Sequence, residues 1–291
     1  MNVRRSSLKA TLNGELGTLK RSSNPMSIIT LLTDFGTGAE YAGLMKGVIL
    51  SINPSAVIVD ITHQIDRQDI VQAAFTISAA YGYFPDGTVH LVVVDPGVGS
   101  ERSLLALEMK NQIFIAPDNG VLTLLFNEGN ISALIRITNS EYFLASISRT
   151  FHGRDIIAPV GAHLSDGIDL RKLGTEIDRR DAVHLDDLHA RISGNGELIG
   201  KIVGIDDFGN LITNIDLKKL GEVYLSGQEK KIQFKIGSHA ITGLSETYSS
   251  VQPKTPLALI GSRGFLEIAV NNGNAALIFN IEKGDSVRVL V

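Results

Sequence analysis

TVHLVVVDPG, residues 88–97, is an almost continuous run of apolar and mostly β-branched side chains that ends in Asp95, Pro96 and Gly97. Runs of this kind form strands that are buried on both faces of a sheet, and a Pro-Gly pair favours a turn. The stretch therefore predicts a buried strand with the Asp95 carboxylate at its carboxyl end. Arg102 follows seven positions later, a gap long enough for the chain to bring it back beside Asp95.

The segments before this strand alternate between strand-like and helix-like patterns. SIITLLTDFG and AVIVDITH predict strands, and the apolar spacing in YAGLMKGVILSINP and DIVQAAFTISAAYGYF predicts helices. With residues 88–97 they give a β-α-β-α-β order, which is typical of a mostly parallel sheet sandwiched by helices. Ligands of such sheets bind at the carboxyl ends of the strands, where Asp34, Asp60, His63 and Asp95 are expected.

Two further segments extend the α/β pattern before the sequence changes to a pattern of short strands. NQIFIAPDNG predicts another strand, and RTFHGRD predicts a polar turn that opens a helix over residues 158–164. From Arg191 onward, short alternating segments separated by glycines predict a smaller all-β barrel domain. We predict a disordered extension over 1–26, an α/β N-terminal domain over 27–183, a linker over 184–190 and a β-barrel C-terminal domain over 191–291.

Charge and composition exclude several classes of function. The net charge is -4, but residues 1–26 carry five basic groups and one acidic group, so the remainder holds 22 basic and 30 acidic groups, or -8. An acidic core lacks the basic face that nucleic acid requires. The chain has no cysteine, which excludes disulfides, thiolate metal sites and cysteine nucleophiles. Without a secretory signal pattern or an apolar run near the roughly 20 residues of a membrane span, we expect a cytoplasmic protein with no membrane partner.

Common cofactor and hydrolase motifs are missing from the sequence. It contains no phosphate-binding GxxxxGK[ST] loop, no GxSxG elbow and no complete dinucleotide fingerprint. Oxygen and nitrogen ligands do occur near predicted strand ends, but none has the HExxH or HxH spacing that indicates a metal. We therefore expect no metal and no organic cofactor, with a metal phosphohydrolase as a distant alternative.

Four polar motifs remain, and each has a functional and a structural interpretation. They are TDFG (33–36), TFHGRD (150–155), IDDFGNLITNI (205–215) and GSRGFLEIAVNNG (261–273). Asp34 can accept hydrogen bonds from a ribose diol or cap the next helix. His152 can serve in catalysis or only in structure. Asn210 can read an adenine edge or close a hairpin, and Ser262 with Arg263 can clamp a carboxylate or face solvent.

Together with DPGVGSERS (95–103), these motifs occur in an order and spacing that resemble one family. From about Ile28 to Val291 the chain is similar to the S-adenosylmethionine (SAM) hydroxide adenosyltransferases, also called adenosine-forming SAM hydrolases, which are relatives of fluorinase and chlorinase. The resemblance implies an α/β N-terminal domain and a β-barrel C-terminal domain. It also implies a homotrimer in which the substrate binds between the N-terminal domain of one subunit and the C-terminal domain of the next.

The resemblance also implies roles for individual residues. Asp95, Arg102 and His152 match a triad that positions and activates water, with His152 able to relay or accept its proton. The substrate-binding positions are Asp34 for ribose, Asp206, Ser262 and Arg263 for the methionine end, and Asn210, Tyr248 and the stretch from Glu267 to Val270 for adenine. One position departs from the family pattern: an acidic residue is usual where this chain has Ala39, which leaves Asp206 or Glu40 as candidates for contacting the methionine ammonium.

The implied activity is hydrolysis of SAM to adenosine and L-methionine, by in-line attack of an activated water or hydroxide on ribose C5′. Two alternatives stand beside it. A non-catalytic protein could bind adenosine or SAM with the same residues. A SAM-dependent halogenase would replace water by a halide, but halogenating relatives do not keep an aspartate at the Asp95 position, and a carboxylate repels an entering anion.

Overall fold

The computed structural model describes residues 27–223 and 232–290, so the predicted disordered extension over 1–26 lies outside the described residues. Within these ranges the chain forms a seven-stranded sheet flanked by helices and, after it, a nine-stranded sheet that curls into a nearly closed barrel. This arrangement confirms the predicted fold class. No helix in the two ranges is both long enough and apolar enough to cross a membrane.

The first sheet and its helices occupy the N-terminal part of the chain. The strands are β1 (Ile28–Thr33), β2 (Val57–Thr62), β3 (Val89–Val93), β4 (Leu104–Met109), β5 (Gln112–Pro117), β6 (Ile131–Ile137) and β7 (Gly174–Glu176). The helices are α1 (Tyr41–Ile52), α2 (Ile70–Ala80), α3 (Thr123–Glu128) and α4 (Ala158–Ser165), with a π-helical turn, Gly153–Ile157, directly before α4. Short 3₁₀ turns cover Tyr81–Tyr83, Ser140–Tyr142, Leu170–Leu173 and Arg179–Asp181.

The strand order of this sheet is β2-β1-β3-β5-β4-β6-β7. The first four strands in this order run parallel, β4 is antiparallel to both of its neighbours, and β7 is antiparallel to β6. The predicted elements of this part of the chain do not include α3, β4, β6 or β7. β4 connects to β5 through a two-residue hairpin, in which Lys110 and Asn111 both have positive φ values, 49° and 59°. That combination is the backbone of a type I′ turn, whose usual Asn-Gly signal is absent here.

Helices cover both faces of the sheet, as predicted. α1 and α4 pack on one face around Met45 and Leu91, whereas α2 and α3 pack on the other around Ala74 and Leu125. α4 lies very close to β3, because a Cβ added to Gly161 would stand 2.6 Å from a methyl carbon of Leu91. This close packing places the residues before α4 beside the carboxyl end of β3.

A switch in chain direction creates a crevice at the carboxyl ends of β1 and β3. From β1 the chain goes to β2 on one side and then returns to β3 on the other. Thr33 and Val93, the last residues of β1 and β3, are paired neighbours. Because the connections leave these two ends in opposite directions, an open space remains between them, and this is where such folds bind ligands. Asp34 follows β1, and Asp95 lies two residues beyond β3.

The second sheet forms the C-terminal part. Its strands are β8 (Arg191–Ile192), β9 (Leu198–Ile205), β10 (Leu211–Asp216), β11 (Gln233–Ile236), β12 (His239–Thr242), β13 (Leu244–Ser245), β14 (Pro256–Ile260), β15 (Phe265–Val270) and β16 (Ser286–Leu290). α5 (Leu217–Val223), a 3₁₀ turn over Tyr248–Ser250 and α6 (Ala275–Phe279) complete it. The path through the sheet begins at β12 and ends at β13, which only Gly243 separates in the chain. The two edges therefore lie close together, and the sheet curls around one apolar core.

Apolar packing joins the two parts of the chain. Val203 and Ile212 of the second sheet belong to the same buried cluster as Ala73 and Phe75 of α2. Leu188, inside the predicted linker, is also buried in this cluster. The predicted boundaries at 27–183, 184–190 and 191–291 stay a prediction.

Candidate functional site

The crevice between β1 and β3 holds a cavity of about 210 Å³, which we call the N-terminal cavity. Asp34, Asp95 and His152, three of the predicted site residues, line it. The remaining wall is formed by Phe35, Gln68, Val93, Pro96, Val98, Thr150, Phe151 and Gly153.

Asp95 and Arg102 form a two-point ion pair beside this cavity. Arg102 Nε donates to Asp95 Oδ1 at 2.6 Å, and Arg102 Nη2 donates to Asp95 Oδ2. The two side chains are only 5% and 10% exposed, so water screens the charges weakly. The predicted turn brings them together, since the Val98 N–H donates to the Asp95 carbonyl and closes a turn around Pro96 and Gly97. The pair is the one that the sequence predicts.

The loop that carries this pair touches the loop that carries His152. Gly99 has a φ of +80°, and a Cβ added to it would stand 2.1 Å from the Arg149 carbonyl oxygen. Only glycine fits this backbone conformation and this close approach. Gly99 therefore sets the distance between the two loops.

His152 completes the triad through Arg102. Arg102 Nη2 lies 3.2 Å from His152 Nδ1, and an arginine can only donate, so Nδ1 is the acceptor and the ring proton of neutral His152 is on Nε2. Burial lowers the pKa of His152 and the positive charge of Arg102 lowers it further, while Asp95 and Asp155 act in the opposite direction. The imidazole is therefore neutral near pH 7. To accept a proton at Nδ1 it would have to give up its contact with Arg102.

Asp155, which the sequence did not single out as a site residue, fixes the loop around His152. Its buried carboxylate accepts hydrogen bonds from the Ser148 N–H at 2.8 Å and from Arg154 Nε at 2.6 Å. Burial raises the pKa of Asp155, but these donors outweigh it and hold the pKa below its usual range. The π-helical turn begins right after His152, and such turns are frequent at functional sites.

Asp34 also lines the N-terminal cavity. Its Oδ2 accepts a hydrogen bond of 2.8 Å from the backbone N–H of Gln68. Gln68 has a φ of 64°, in the left-handed region that residues with a Cβ rarely adopt. No sequence signal marks Gln68, because glutamine is not a residue that favours this conformation. Neither Ala39 nor Glu40 lines the cavity.

The predicted residues of the C-terminal part gather around a second cavity, of about 680 Å³, which we call the C-terminal cavity. All seven of them line it: Asp206, Asn210, Tyr248, Ser262, Arg263, Glu267 and Val270. They come from three separate segments of the barrel, namely the turn between β9 and β10, the 3₁₀ turn, and the hairpin of β14 and β15 with β15 itself.

Asp206 organises the turn between β9 and β10. Its Oδ1 accepts from the N–H groups of Phe208 and Asn210, and its Oδ2 accepts from Asn210 Nδ2 at 2.9 Å. Gly209 has a φ of +83°, and a Cβ there would collide with the Asn274 side chain at 2.1 Å. The turn therefore needs this glycine. Phe208, the residue before it, lines the cavity and is 78% exposed.

Tyr248 and the buried Glu267 form a second polar contact on the wall of this cavity. The Tyr248 hydroxyl donates to Glu267 Oε1 at 2.5 Å. Burial raises the pKa of Glu267 and the nearby Asp206 raises it further, although Tyr248 and Arg263 oppose the shift. Burial and Glu267 also raise the pKa of Tyr248, so the tyrosine stays a hydrogen-bond donor. A Cβ on Gly261 would lie 2.4 Å from Glu267 Oε2, which shows how closely the hairpin covers this carboxyl.

The two cavities have no lining residue in common. A third cavity, of about 670 Å³, lies between the two parts of the chain, and it has no lining residue of the N-terminal cavity. It shares five lining residues with the C-terminal cavity: Asp206, Ile212, Ser262, Arg263 and Phe265. One chain thus presents two separate groups of predicted site residues.

Asp60 and His63, the other polar residues at predicted strand ends, do not line the N-terminal cavity. Lys46 Nζ lies 2.6 Å from Asp60 Oδ2, and His63 Nε2 lies 3.1 Å from Asp60 Oδ1. Within residues 27–223 and 232–290, no three histidine, aspartate or glutamate side chains gather as a metal site.

Comparison with protein families identifies the chain. Residues 29–174 match the SAM hydroxide adenosyltransferase N-terminal domain, and residues 200–288 match the corresponding C-terminal domain. The chain belongs to the SAM hydroxide adenosyltransferase family. The resemblance predicted from the motifs is thereby confirmed.

Members of the family from distant organisms are similar to this chain over nearly its whole length. The (R)-S-adenosyl-L-methionine hydrolase of Methanocaldococcus jannaschii is 36% identical, with 91% of this chain and 96% of that protein covered. The hydrolase of the same name from Thermus thermophilus is 32% identical, with 91% and 100% covered. A fluorinase of Actinoplanes sp. is 29% identical over 92% of this chain and 98% of that protein.

A solved structure has the same architecture as this chain. The crystal structure of an uncharacterized conserved protein from Thermotoga maritima superposes with a TM-score of 0.83 at 36% sequence identity, covering 90% of this chain and all of the other. This chain and that protein therefore share one fold over nearly their whole lengths.

Proposed function

We propose that this protein hydrolyses SAM to adenosine and L-methionine. The observation that carries the proposal is the contact of Asp95, Arg102 and His152 at the crevice where Asp34 also lies. Relatives that are 31% to 36% identical over about nine-tenths of the chain bear the name (R)-S-adenosyl-L-methionine hydrolase. The enzyme is therefore a hydrolase of the SAM hydroxide adenosyltransferase family.

The reaction is a single in-line displacement. The oxygen of water or hydroxide forms a bond to ribose C5′, the bond between C5′ and sulfur breaks, and its electron pair remains on sulfur. Methionine leaves as a neutral thioether, so the leaving group needs no general acid, and one proton is released to the medium. Because the substrate already carries a good cationic leaving group, this chemistry requires no metal or organic cofactor.

The difficult part of the reaction is the nucleophile, because free water has a pKa near 15.7. In our proposal Arg102 provides fixed positive charge that favours hydroxide, and Asp95 holds that guanidinium in place. His152 lines the cavity with its proton on Nε2, so it orients the attacking oxygen by donating to it. Asp34 accepts hydrogen bonds from the ribose diol and keeps C5′ in line.

We assign substrate recognition to the C-terminal cavity. Asn210, Tyr248 and the segment from Glu267 to Val270 hold adenine, while Asp206, Ser262 and Arg263 hold the methionine end. With Ala39 and Glu40 outside the N-terminal cavity, Asp206 is our candidate for the methionine ammonium. It lies on the wall of the C-terminal cavity, where Arg263 can take the substrate carboxylate.

Because one chain keeps the two cavities separate, we propose that the complete site forms between neighbouring subunits of a homotrimer. Exposed apolar side chains adjoin both cavities and support this arrangement. Tyr41 is 45% exposed and packs on Phe35 and Phe151 of the N-terminal cavity, and Phe208 lies open at the C-terminal cavity. The cytoplasmic location stays a prediction from the sequence.

Subunit mixing tests the shared site. His152→Ala lowers kcat and Arg263→Ala raises KM from the opposite cavity, so at a low fixed SAM concentration each variant alone is expected to show little activity. If the site lies between subunits, trimers that contain both variants recover activity, because some interfaces combine two unaltered halves. The composition of the mixed trimers is verified by mass measurement. If such trimers recover no activity, the shared site is contradicted.

The activity itself is tested with purified protein, SAM and a chelator in labelled water. We expect chromatography to show adenosine and methionine in equal amounts, with the solvent oxygen label in adenosine. Tight binding without adenosine release would support the non-catalytic alternative and overturn the enzyme proposal. Formation of a halogenated nucleoside in chloride or fluoride would instead support the halogenase, which the Asp95 carboxylate disfavours.

A further inference from the structure

An ion pair that crosses between the two parts of the chain stands outside the proposed triad. Lys283 Nζ lies 2.5 Å from Asp66 Oδ2 and 2.7 Å from Asp69 Oδ2. Lys283 precedes β16, whereas the two aspartates belong to the turn before α2, which we call the 66–69 turn. The side chains of Lys283 and Asp69 are 28% and 19% exposed, so this contact is shielded more than an ordinary surface pair.

Lys283 comes from a rigid support. The Gly284 N–H donates to the Ile202 carbonyl at 2.8 Å, and the Ile202 N–H donates to the Asp285 carbonyl at 2.9 Å. Asp285 Oδ2 also accepts from the Glu282 N–H at 2.9 Å. These bonds fasten the turn that carries Lys283 to β9, and β9 packs against α2 through the shared apolar core.

Lys283 stays charged in this position. Partial burial by itself lowers the pKa of Lys283, but its hydrogen bonds to Asp66 and Asp69 and their negative charges outweigh burial, so the pKa is raised. The ammonium therefore neutralises two carboxylates that would otherwise repel each other.

The 66–69 turn reaches the N-terminal cavity through Gln68. The Asp69 N–H donates to the Asp66 carbonyl at 2.9 Å and closes the turn, so the two aspartates held by Lys283 bracket Gln68. Gln68 is kept in the left-handed conformation, with φ at 64°, and its N–H donates to Asp34 Oδ2. Lys283, the turn, Gln68 and Asp34 thus form one continuous series of contacts.

We propose that Lys283 is a positioning residue for Asp34. By holding Asp66 and Asp69 it keeps Gln68 in the conformation that orients the Asp34 carboxylate for the ribose diol. The role rests on the proposed function only in naming ribose as the ligand of Asp34. It makes the second sheet of each chain a support for the N-terminal cavity of the same chain.

Three variants test this role in the full-length protein. Lys283→Met keeps the apolar stem and removes the charge, Lys283→Arg restores a cation, and Lys219→Met removes a similar ion pair, with Glu222, that lies within α5 and far from Asp34 in the chain. Residues that share one network of contacts are energetically coupled, by an amount that corresponds to about 2- to 150-fold in an equilibrium constant. We expect Lys283→Met to raise KM for SAM and Kd for adenosine by about 5- to 20-fold, inside this range, with kcat changed less than about twofold.

The conservative variant and the control sharpen this expectation. Lys283→Arg should recover most of the affinity, and Lys219→Met should leave KM and kcat as they are in the wild type. A fourth variant, Asp66→Asn, neutralises one of the two carboxylates, on a side chain that is 66% exposed, so the fold should tolerate the change. It should give a smaller increase in KM of the same kind.

Hydrogen exchange gives a readout that does not depend on activity. In Lys283→Met we expect faster amide exchange in peptides that cover residues 64–69, with unchanged exchange in β1 and β3. Unchanged exchange in the 66–69 turn, or an equal increase across β1 and β3, would overturn the positioning role in favour of no role or of general stability. If the wild type released no adenosine, the proposed function would fail, whereas the exchange result would still decide whether Lys283 orders Gln68.

Discussion

The N-terminal and C-terminal cavities distribute their charged groups in opposite ways. In the smaller cavity, of about 210 Å³, Asp95 and His152 both contact one guanidinium, and loops locked by Gly99 and Asp155 hold them in place. In the larger cavity, of about 680 Å³, the charged groups are separated among aromatic and amide side chains. A compact charged group suits the activation of a nucleophile, and a wide mixed surface suits recognition. Substitutions in the Asp95, Arg102 and His152 triad should therefore lower kcat, and those in the C-terminal cavity should raise KM.

The largest effect is expected from His152→Ala. It removes a group that contacts the attacking oxygen in our proposal, so kcat should fall by about 10³-fold while the Kd for adenosine changes less than about threefold. Steady-state kinetics and calorimetric titration measure the two quantities. His184→Ala, which alters an exposed histidine outside both cavities, serves as the control. Equal losses of turnover and affinity would mean that His152 shapes the cavity and does not act on water.

Gly99→Ala should have the next largest effect, because its Cβ would push the Arg149 carbonyl away and separate the two loops of the triad. A misplacement of this kind lowers kcat by about 10²-fold. Gly87→Ala is a matched control, since Gly87 also has a positive φ, +83°, but no atom within 4 Å of an added Cβ. If Gly99→Ala and Gly87→Ala lowered kcat by the same factor, the loss would come from backbone strain at a positive φ and not from separation of the two loops.

The pH dependence of the reaction should report the triad as well. The pKa of His152 is lowered, so the imidazole is neutral above that pKa and becomes charged as the pH falls through it. A charged imidazole carries a proton on Nδ1 and repels Arg102, so kcat/KM should decrease by about tenfold per pH unit below this pKa, which lies under 6.5. In Arg102→Gln, NMR titration should show a higher His152 pKa. If the His152 pKa were the same in Arg102→Gln as in the wild type, Arg102 would not be one of the groups that lower it.

The smallest effect is expected in the C-terminal cavity. Tyr248→Phe removes the hydrogen bond to Glu267 and leaves that buried carboxyl without its donor, so KM for SAM should rise about fivefold with little change in kcat. Tyr83→Phe, at a tyrosine that is 82% exposed, should change neither value. A fall in kcat equal to that of His152→Ala would show that the two cavities do not divide catalysis and recognition as we infer.

The sequence predicted those parts of the structure that depend on residues close together in the chain. The apolar run before Asp95, the Pro-Gly turn and the alternation of strands and helices are each set by neighbouring residues, and the structure contains the elements they predict. Of the site residues that the motifs indicated, all but Arg102 line one of the two cavities, and Arg102 contacts Asp95 and His152 from behind the cavity wall. β4 escaped prediction because Lys110 and Asn111 are an unusual pair for its hairpin.

The supports of the site could not be predicted in the same way. Gln68 reaches Asp34 through a left-handed backbone conformation that its side chain does not favour, and Lys283 reaches the 66–69 turn from more than 200 positions away in the chain. Such contacts depend on tertiary packing, which local patterns do not encode.

The apolar core that joins α2 to the second sheet bears on how copies of this protein could assemble. Because Val203, Ile212 and Phe75 share one buried cluster, each chain keeps a fixed angle between the surface around its N-terminal cavity and the surface around its C-terminal cavity. When unlike surfaces of identical copies pair head to tail, that angle decides whether the copies form a closed ring or an open filament. The number of subunits in the ring would then be fixed within each folded chain, before any two copies meet.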